Sequence, residues 1–210
     1  MENSCIAFKL NYCDGGSDED HVGFRGICTP NVMKENIKAG RPWCSNDDCD
    51  CKKSISRKNF RRKWDFPCGE SATLINWEAR SESGCIAQNP SGHLCVLTTR
   101  KPAALEEERF VFAMFIAHDI FYWENEFGKK FSSVPAEEYF RLEFRLHEAE
   151  QIKFWKIFPK PPKKLTWGQN WFRYFDDSLA VKFLETAVKV KRGTPEESLA
   201  KEFLKQYPYK

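Results

Sequence analysis

Four cysteines, Cys44, Cys49, Cys51 and Cys68, fall in the run RPWCSNDDCDCKKSISRKNFRRKWDFPCGES, and Cys28 stands a little upstream in RGICTP. Thiolates are the ligands that Zn²⁺ and iron–sulfur clusters prefer, and four of them close a structural site. Such a site can tie two stretches of chain together without a large core of their own. Single cysteines in apolar runs pack instead as small hydrophobes, and Cys5, Cys85 and Cys95 fit that description. The neighbours of the four clustered cysteines are Ser, Asn, Asp and Lys, which suits a metal site better than burial. Residues two apart in extended chain point to opposite faces, so Cys49 and Cys51 share an ion only if Asp50 sits in a tight turn. The ligand set is therefore Cys44, Cys49 and Cys68 with Cys51 as the fourth, and Cys28 as the reserve. Spacings of four and then one do not form a pair of zinc knuckles, and Pro67-Cys68 also suits iron–sulfur clusters. The expectation leans to structural zinc, with an iron–sulfur cluster as the alternative.

The same window carries Lys52, Lys53, Arg57, Lys58, Arg61, Arg62 and Lys63 with no acid between residues 52 and 64. A second acid-free run, KFWKIFPKPPKK, interleaves lysines with Phe154, Trp155 and Phe158. Basic runs among aromatics suit phosphate contacts combined with base stacking, so the expected partner is nucleic acid, DNA or RNA. The net charge of +3 by itself points to no partner. A pocket that reads a base needs a π-face and polar groups at the base's edge. Trp77 with Asn76 and Glu78, Tyr122 with Trp123, and the pairs Trp43–Cys44 and Trp167–Trp171 supply such groups. Arg100, Lys101 and Arg173 are placed to hold flanking phosphates, with Arg57, Arg61, Arg62 and Lys63 along the basic loop.

Catalysis rests on thinner grounds. His118-Asp119 offers a base beside a carboxylate, as a metal-dependent nuclease would use. No H-E-x-x-H, phosphate-binding Gly loop, G-x-S-x-G or zinc-deaminase pattern accompanies it. A binding module is the first expectation, and a nucleic-acid hydrolase or iron–sulfur redox protein the second.

The elements that must position these groups are mostly strands. SCIAFKL (4–10), VGFRGI (22–27), ATLINW (72–77), GCIAQ (84–88) and HLCVLTT (93–99) read as strands. EERFVFAMFIAHDIFYW (107–123) opens as a strand buried on both faces, given its unbroken apolar run. EYFRLEFRLHE (138–148) alternates, with Phe140, Leu142, Phe144 and Leu146 on one face. IKFWKIF (152–158) reads as a further strand, ended by prolines. Thr29-Pro30 predicts the start of a short helix over 30–39, stopped at Gly40. Leu179, Phe183, Leu184, Ala187 and Val188 then stripe a helix that Gly193 ends, and Thr194-Pro195-Glu196-Glu197 predicts the start of a last one.

The chain of 210 residues is long enough for one substantial core. We divide it into 1–71, bearing strands, a short helix and the cysteine-rich region, and 72–210, a barrel-like core with a C-terminal helix pair, together one compact unit. The expected class is α+β: a small, strongly bent sheet or barrel with flanking helices and a cysteine-rich metal-binding insertion. No run approaches the ~18 apolar residues of a membrane span. Nine cysteines, an odd number, behind an opening without a leader pattern predict a cytoplasmic protein in which cysteine clusters serve metals rather than disulfides.

GHLCVLTTRKP followed by EERFVFAMFIAHDIFYW, and later FWKIF and WGQNWFRYFDD, resemble the PUA-like superfamily, which includes the EVE, ASCH and YTH domains. The resemblance spans about residues 72 to 190 and is one of order and residue type. It implies a curled barrel that binds modified or single-stranded nucleic acid, often with one flipped base in an aromatic cage. The cysteine window lies outside that pattern.

Overall fold

The computed structural model describes residues 4–13, 29–41, 72–73, 77–81, 86–124, 126, 128, 130–159, 161, 165–167 and 172–208. Cys28, Cys44, Cys49, Cys51, Cys68, Arg57, Arg61, Arg62, Lys63 and Asn76 lie outside these residues, as does the expected strand 22–27.

The fold is α+β: a strongly curled, mixed half-barrel sheet with helices packed at its C-terminal end. Its strands are β1 (Cys5–Lys9), β2 (Ala72–Thr73), β3 (Glu78–Ser81), β4 (Leu94–Thr99), β5 (Phe110–Ala117), β6 (Phe121–Glu124), β7 (Lys130–Glu143) and β8 (Phe172–Phe175). They lie in the order β2-β3-β7-β5-β4-β1-β8, with β6 pairing β7 off this path. Among the described residues, only β1 and β4 run parallel, and the other strand pairings are antiparallel. Strand β5 is buried along its whole length, as its unbroken apolar run requires.

The curl has a local cause in β7. Its first half pairs β3 and β6, and its second half pairs β5. Between Phe115 and Ala117 of β5, the β7 partners jump from Arg141 to Ala136, so β7 carries extra residues at a bulge. A bulge bends its strand and strands carbonyls away from the ladder. Arg141 answers this from its own chain: Nε donates to Glu137 O at 2.9 Å and Nη2 to Ala136 O at 3.1 Å.

Helix α1 (Pro30–Lys38) begins as expected, with Thr29 Oγ1 accepting from Val32 N and Pro30 at the first position. Gly40, at φ 64°, follows its end. One-turn helices α2 (Leu146–Ala149) and α3 (Phe154–Ile157) come before β8, and α4 (Asp177–Val190) and α5 (Glu197–Gln206) close the chain. Asp176 caps α4 by accepting from Leu179 N at 2.9 Å. Its buried stripe is Leu179, Ala180, Phe183, Leu184 and Ala187. Helix α5 starts at Glu197, two residues later than the Thr194 box suggests, because the Thr194 hydroxyl donates back to Lys191 O.

Three local readings are corrected. Residues 152–158 are not a strand: Phe154–Ile157 form a helical turn, and Phe154 packs on Phe158 four residues on at 5.1 Å. The strand expected over 138–148 runs instead from Lys130 to Glu143. It ends where Glu148 Oε2 accepts from Arg145 N at 2.8 Å and starts a helical turn. Residues 86–88 form no strand; Ala87 and Gln88 donate their amides to the Tyr174 hydroxyl. No described helix is long and apolar enough to cross a membrane.

Candidate ligand cavity and metal-binding group

Two clusters of chemically useful side chains sit at opposite ends of the parallel pair β1/β4. At the carboxyl ends, Thr98 Oγ1 donates to Phe8 O at 2.8 Å and Thr99 Oγ1 to Leu10 O at 3.0 Å. These buried hydroxyls hold the exit of β1 against the exit of β4, so Lys9 and Arg100 leave the sheet side by side. Arg109, just before β5, joins them through Nη1 to Thr98 Oγ1 at 3.3 Å. The result is a cavity of about 410 Å³ lined by Lys9, Asn11, Arg41, Arg100, Glu106, Arg109 and Trp167, among others.

Four cations and one carboxylate line this space among the described residues, a surplus of three positive charges. The carboxylate is engaged: Glu106 Oε1 accepts from Arg109 Nε, Oε2 accepts from Arg109 Nη2 at 3.0 Å, and Arg100 Nε lies 3.2 Å from Oε2. Arg109 is 1% exposed and Glu106 16%, so the bidentate pair is buried on its cationic side and partly open on the other. Burial alone would raise the Glu106 pKa, but hydrogen bonds and charge from Arg109, with Arg100, hold it below the usual glutamate value. Lys9 is shifted down, first by burial and then by Arg109, Arg100 and Arg41, with Glu106 opposing. The indole Nε1 of Trp167 is buried without a hydrogen-bond partner. Its ring carries Arg109 at 4.8 Å and Arg173 at 5.9 Å. The described lining of the cavity carries a net positive charge.

At the amino ends of the pair, Cys5 opens β1, His93 immediately precedes β4, and Asp177 opens α4. One ligand atom from each lies within 4.8 Å of the others, so this group could hold a metal ion. Asp177 Oδ1 is the hub, 3.2 Å from His93 Nδ1 and 3.3 Å from Cys5 Sγ. The Tyr207 hydroxyl donates to the same oxygen and lies 2.9 Å from Cys5 Sγ. Burial pushes the Cys5 thiol up to about 12, and Asp177 adds to that while Tyr207 opposes it. Activated cysteine nucleophiles are shifted the other way, so Cys5 here is no ready nucleophile.

The residues singled out from sequence are spread around the fold. Arg100 enters the cavity, whereas Lys101 turns outward to Glu150. Arg173 stacks over Trp155 at 5.0 Å. Trp77 is half-buried in the turn before β3 at φ 48°, edge-on to Phe115 with Arg141 5.9 Å from its ring. Tyr122 and Trp123 lie on β6, exposed by 56% and 39%, with Trp123 stacked on Phe131 at 5.7 Å. His118 takes its carboxylate from Glu137 at 2.7 Å rather than from Asp119, which accepts from Ser91.

Cys5 and Cys95 are buried free thiols, as expected, but the partners of Cys5 went unread. Lys9, Arg41 and Arg109 were also missed. Each stands alone in its own stretch, and strand register alone unites them. No family model, curated protein or solved structure matches this chain.

Proposed function

We propose that this protein is a nucleic-acid-binding module that seats a terminal or extruded nucleotide in the Lys9/Arg41/Arg100/Arg109 cavity. The surplus of three positive charges around a partly buried cavity carries this reading. Cations gathered in low dielectric repel one another, and a phosphate relieves that cost while gaining charge-assisted hydrogen bonds. A cavity of about 410 Å³ is in the range of small-ligand sites, and an intact duplex is too wide for it. The exposed aromatics of β6, beyond the far end of β5 from the cavity, offer a separate, sequence-tolerant stacking surface for single-stranded bases. The PUA-like resemblance belongs to this reading, since its members often hold one flipped base, though in an aromatic cage rather than among cations. So does a structural zinc at Cys44, Cys49, Cys51 and Cys68, which would brace the basic run 52–64 for the phosphate backbone.

The test is a titration of the full chain with a short single-stranded oligonucleotide at several salt concentrations. Arg100→Met should weaken binding and flatten the salt slope by about one phosphate contact. A mononucleotide should compete, and the matching nucleoside, which lacks phosphate, should not. An unchanged slope in Arg100→Met together with equal competition by nucleoside and nucleotide would overturn the proposal.

A further inference from the structure

The Cys5/His93/Asp177 group is assembled by sheet register rather than by loops. Antiparallel pairing sets Cys5 opposite Phe175, two residues before Asp177. Parallel pairing sets Ile6 opposite Cys95, two residues after His93. Three residues distant in sequence are thus held on rigid elements, the condition for a site that keeps its geometry.

The donors are one sulfur, one imidazole nitrogen and one carboxylate oxygen. Calcium and magnesium take oxygen-only shells, whereas a thiolate with an imidazole and a carboxylate suits zinc and its neighbours. Bond lengths of 2.0–2.3 Å in a tetrahedral zinc site place donors about 3.3–3.8 Å apart. The distances of 3.2 Å and 3.3 Å from Asp177 Oδ1 are close to that spacing and need only a small expansion. Entry is open from one side: Cys5 is fully buried, but the side chains of His93 and Asp177 are 28% and 46% exposed.

We propose that Cys5 Sγ, His93 Nδ1 and Asp177 Oδ1 bind a thiophilic divalent ion of the zinc class, with the Tyr207 hydroxyl oxygen or a solvent oxygen in the fourth position. On binding, the Cys5 S–H proton leaves to solvent and a sulfur–metal bond replaces it. His93 binds as neutral imidazole, with its proton on Nε2. No electron transfer is involved. The proposal uses none of the residues of the cysteine window and is independent of the nucleic-acid reading.

Zinc counting on the full chain tests this. Wild type, His93→Gln and Asp177→Asn are stripped with chelator, reloaded with zinc alone, freed of excess and analysed by elemental mass spectrometry. Each variant, checked as folded by circular dichroism, should hold one zinc per chain fewer than wild type, whatever the cysteine window retains. Equal counts in all three proteins would overturn the site and leave a hydrogen-bonded knot around Asp177. Should the variants fail to fold, anomalous diffraction at the zinc edge from zinc-loaded wild type decides without them. A peak between Sγ, Nδ1 and Oδ1 is the expected result, and an absence of density there rejects the proposal.

Discussion

Glu106 is the one acid among the described residues of a cavity of cations, and its position sets two opposed effects. It neutralises Arg109, which is 1% exposed, through a bidentate pair, and its Oε1 also accepts from Trp155 Nε1 at 3.2 Å. Glu106→Gln leaves a buried guanidinium without a counter-charge, which costs about 3–5 kcal/mol. The same change raises the positive surplus and frees Arg109 for a ligand phosphate. Urea denaturation should therefore show a large loss of stability, while the folded fraction binds oligonucleotide more tightly. A parallel loss of both would mean that Glu106 orders the cavity rather than competes within it. The pH sign follows from the depressed carboxyl. Its stabilisation is whole above the ordinary glutamate value of about 4.3. It declines as pH falls from there and is gone below the folded-state value. Glu106→Gln should accordingly show a shallower acid unfolding slope. Of the cavity's cations, sequence singled out Arg100 alone. Lys9, Arg41 and Arg109 are ordinary surface residues by sequence, and Cys5, His93 and Asp177 have no spacing that a ligand motif could reveal. Sequence speaks of metals through local spacing, as in the cysteine window that lies outside the described residues, whereas these two groupings are made by strand pairing.

At the scale of elements, a strand is readable when burial writes its pattern. Phe110 to Ala117 was legible because both faces are covered, and Thr29-Pro30 because capping chemistry is local. The segment 152–158 was not, since its Phe, Trp and Ile suit either period, and the packing of Phe154 on Phe158 and Phe183 decided for a helical turn. Strand β6 is a different case. Phe121, Tyr122 and Trp123 are all exposed on a four-residue strand, which burial does not explain. If β6 is a stacking surface, Tyr122→Ala and Trp123→Ala should each cost about 1–3 kcal/mol of single-strand affinity with the salt slope unchanged. Trp77→Ala should behave otherwise. Its ring is already engaged by Phe115 and Arg141, so thermal stability should fall more than affinity does. Equal affinity losses at all three positions would instead indicate a general disturbance of the β7 half of the sheet.

Over the whole molecule, the parallel pair β1/β4 carries the cationic cavity at one end and the Cys5/His93/Asp177 group at the other, about 13 Å apart along four residues of β1. The C-terminal helices serve the second end directly, since α4 begins with Asp177 and Tyr207 follows α5. What bolts these helices to the sheet is a buried ion pair. Lys191 Nζ meets Glu148 Oε2 at 2.7 Å, with both side chains at most 4% exposed. The same carboxylate accepts from Arg145 N where β7 gives way to α2, and Lys191 also lies 5.2 Å from the Phe144 ring. Lys191→Met removes the cation and leaves a buried carboxylate, at a cost of about 3–5 kcal/mol. Glu148→Gln leaves the ammonium only the half-exposed Glu196, 3.8 Å away, yet keeps an acceptor for the Arg145 amide. The double variant buries no charge at all, so it should be more stable than either single one. Urea denaturation of the four proteins closes the cycle, and a coupling of 1 kcal/mol or more marks the pair as acting jointly. Additive losses would mean that Lys191 and Glu148 are each held by other partners. In that event the helix pair is fastened by its apolar stripe alone, through Phe183 and Leu184 of α4 and Phe203 of α5 packed on Phe140.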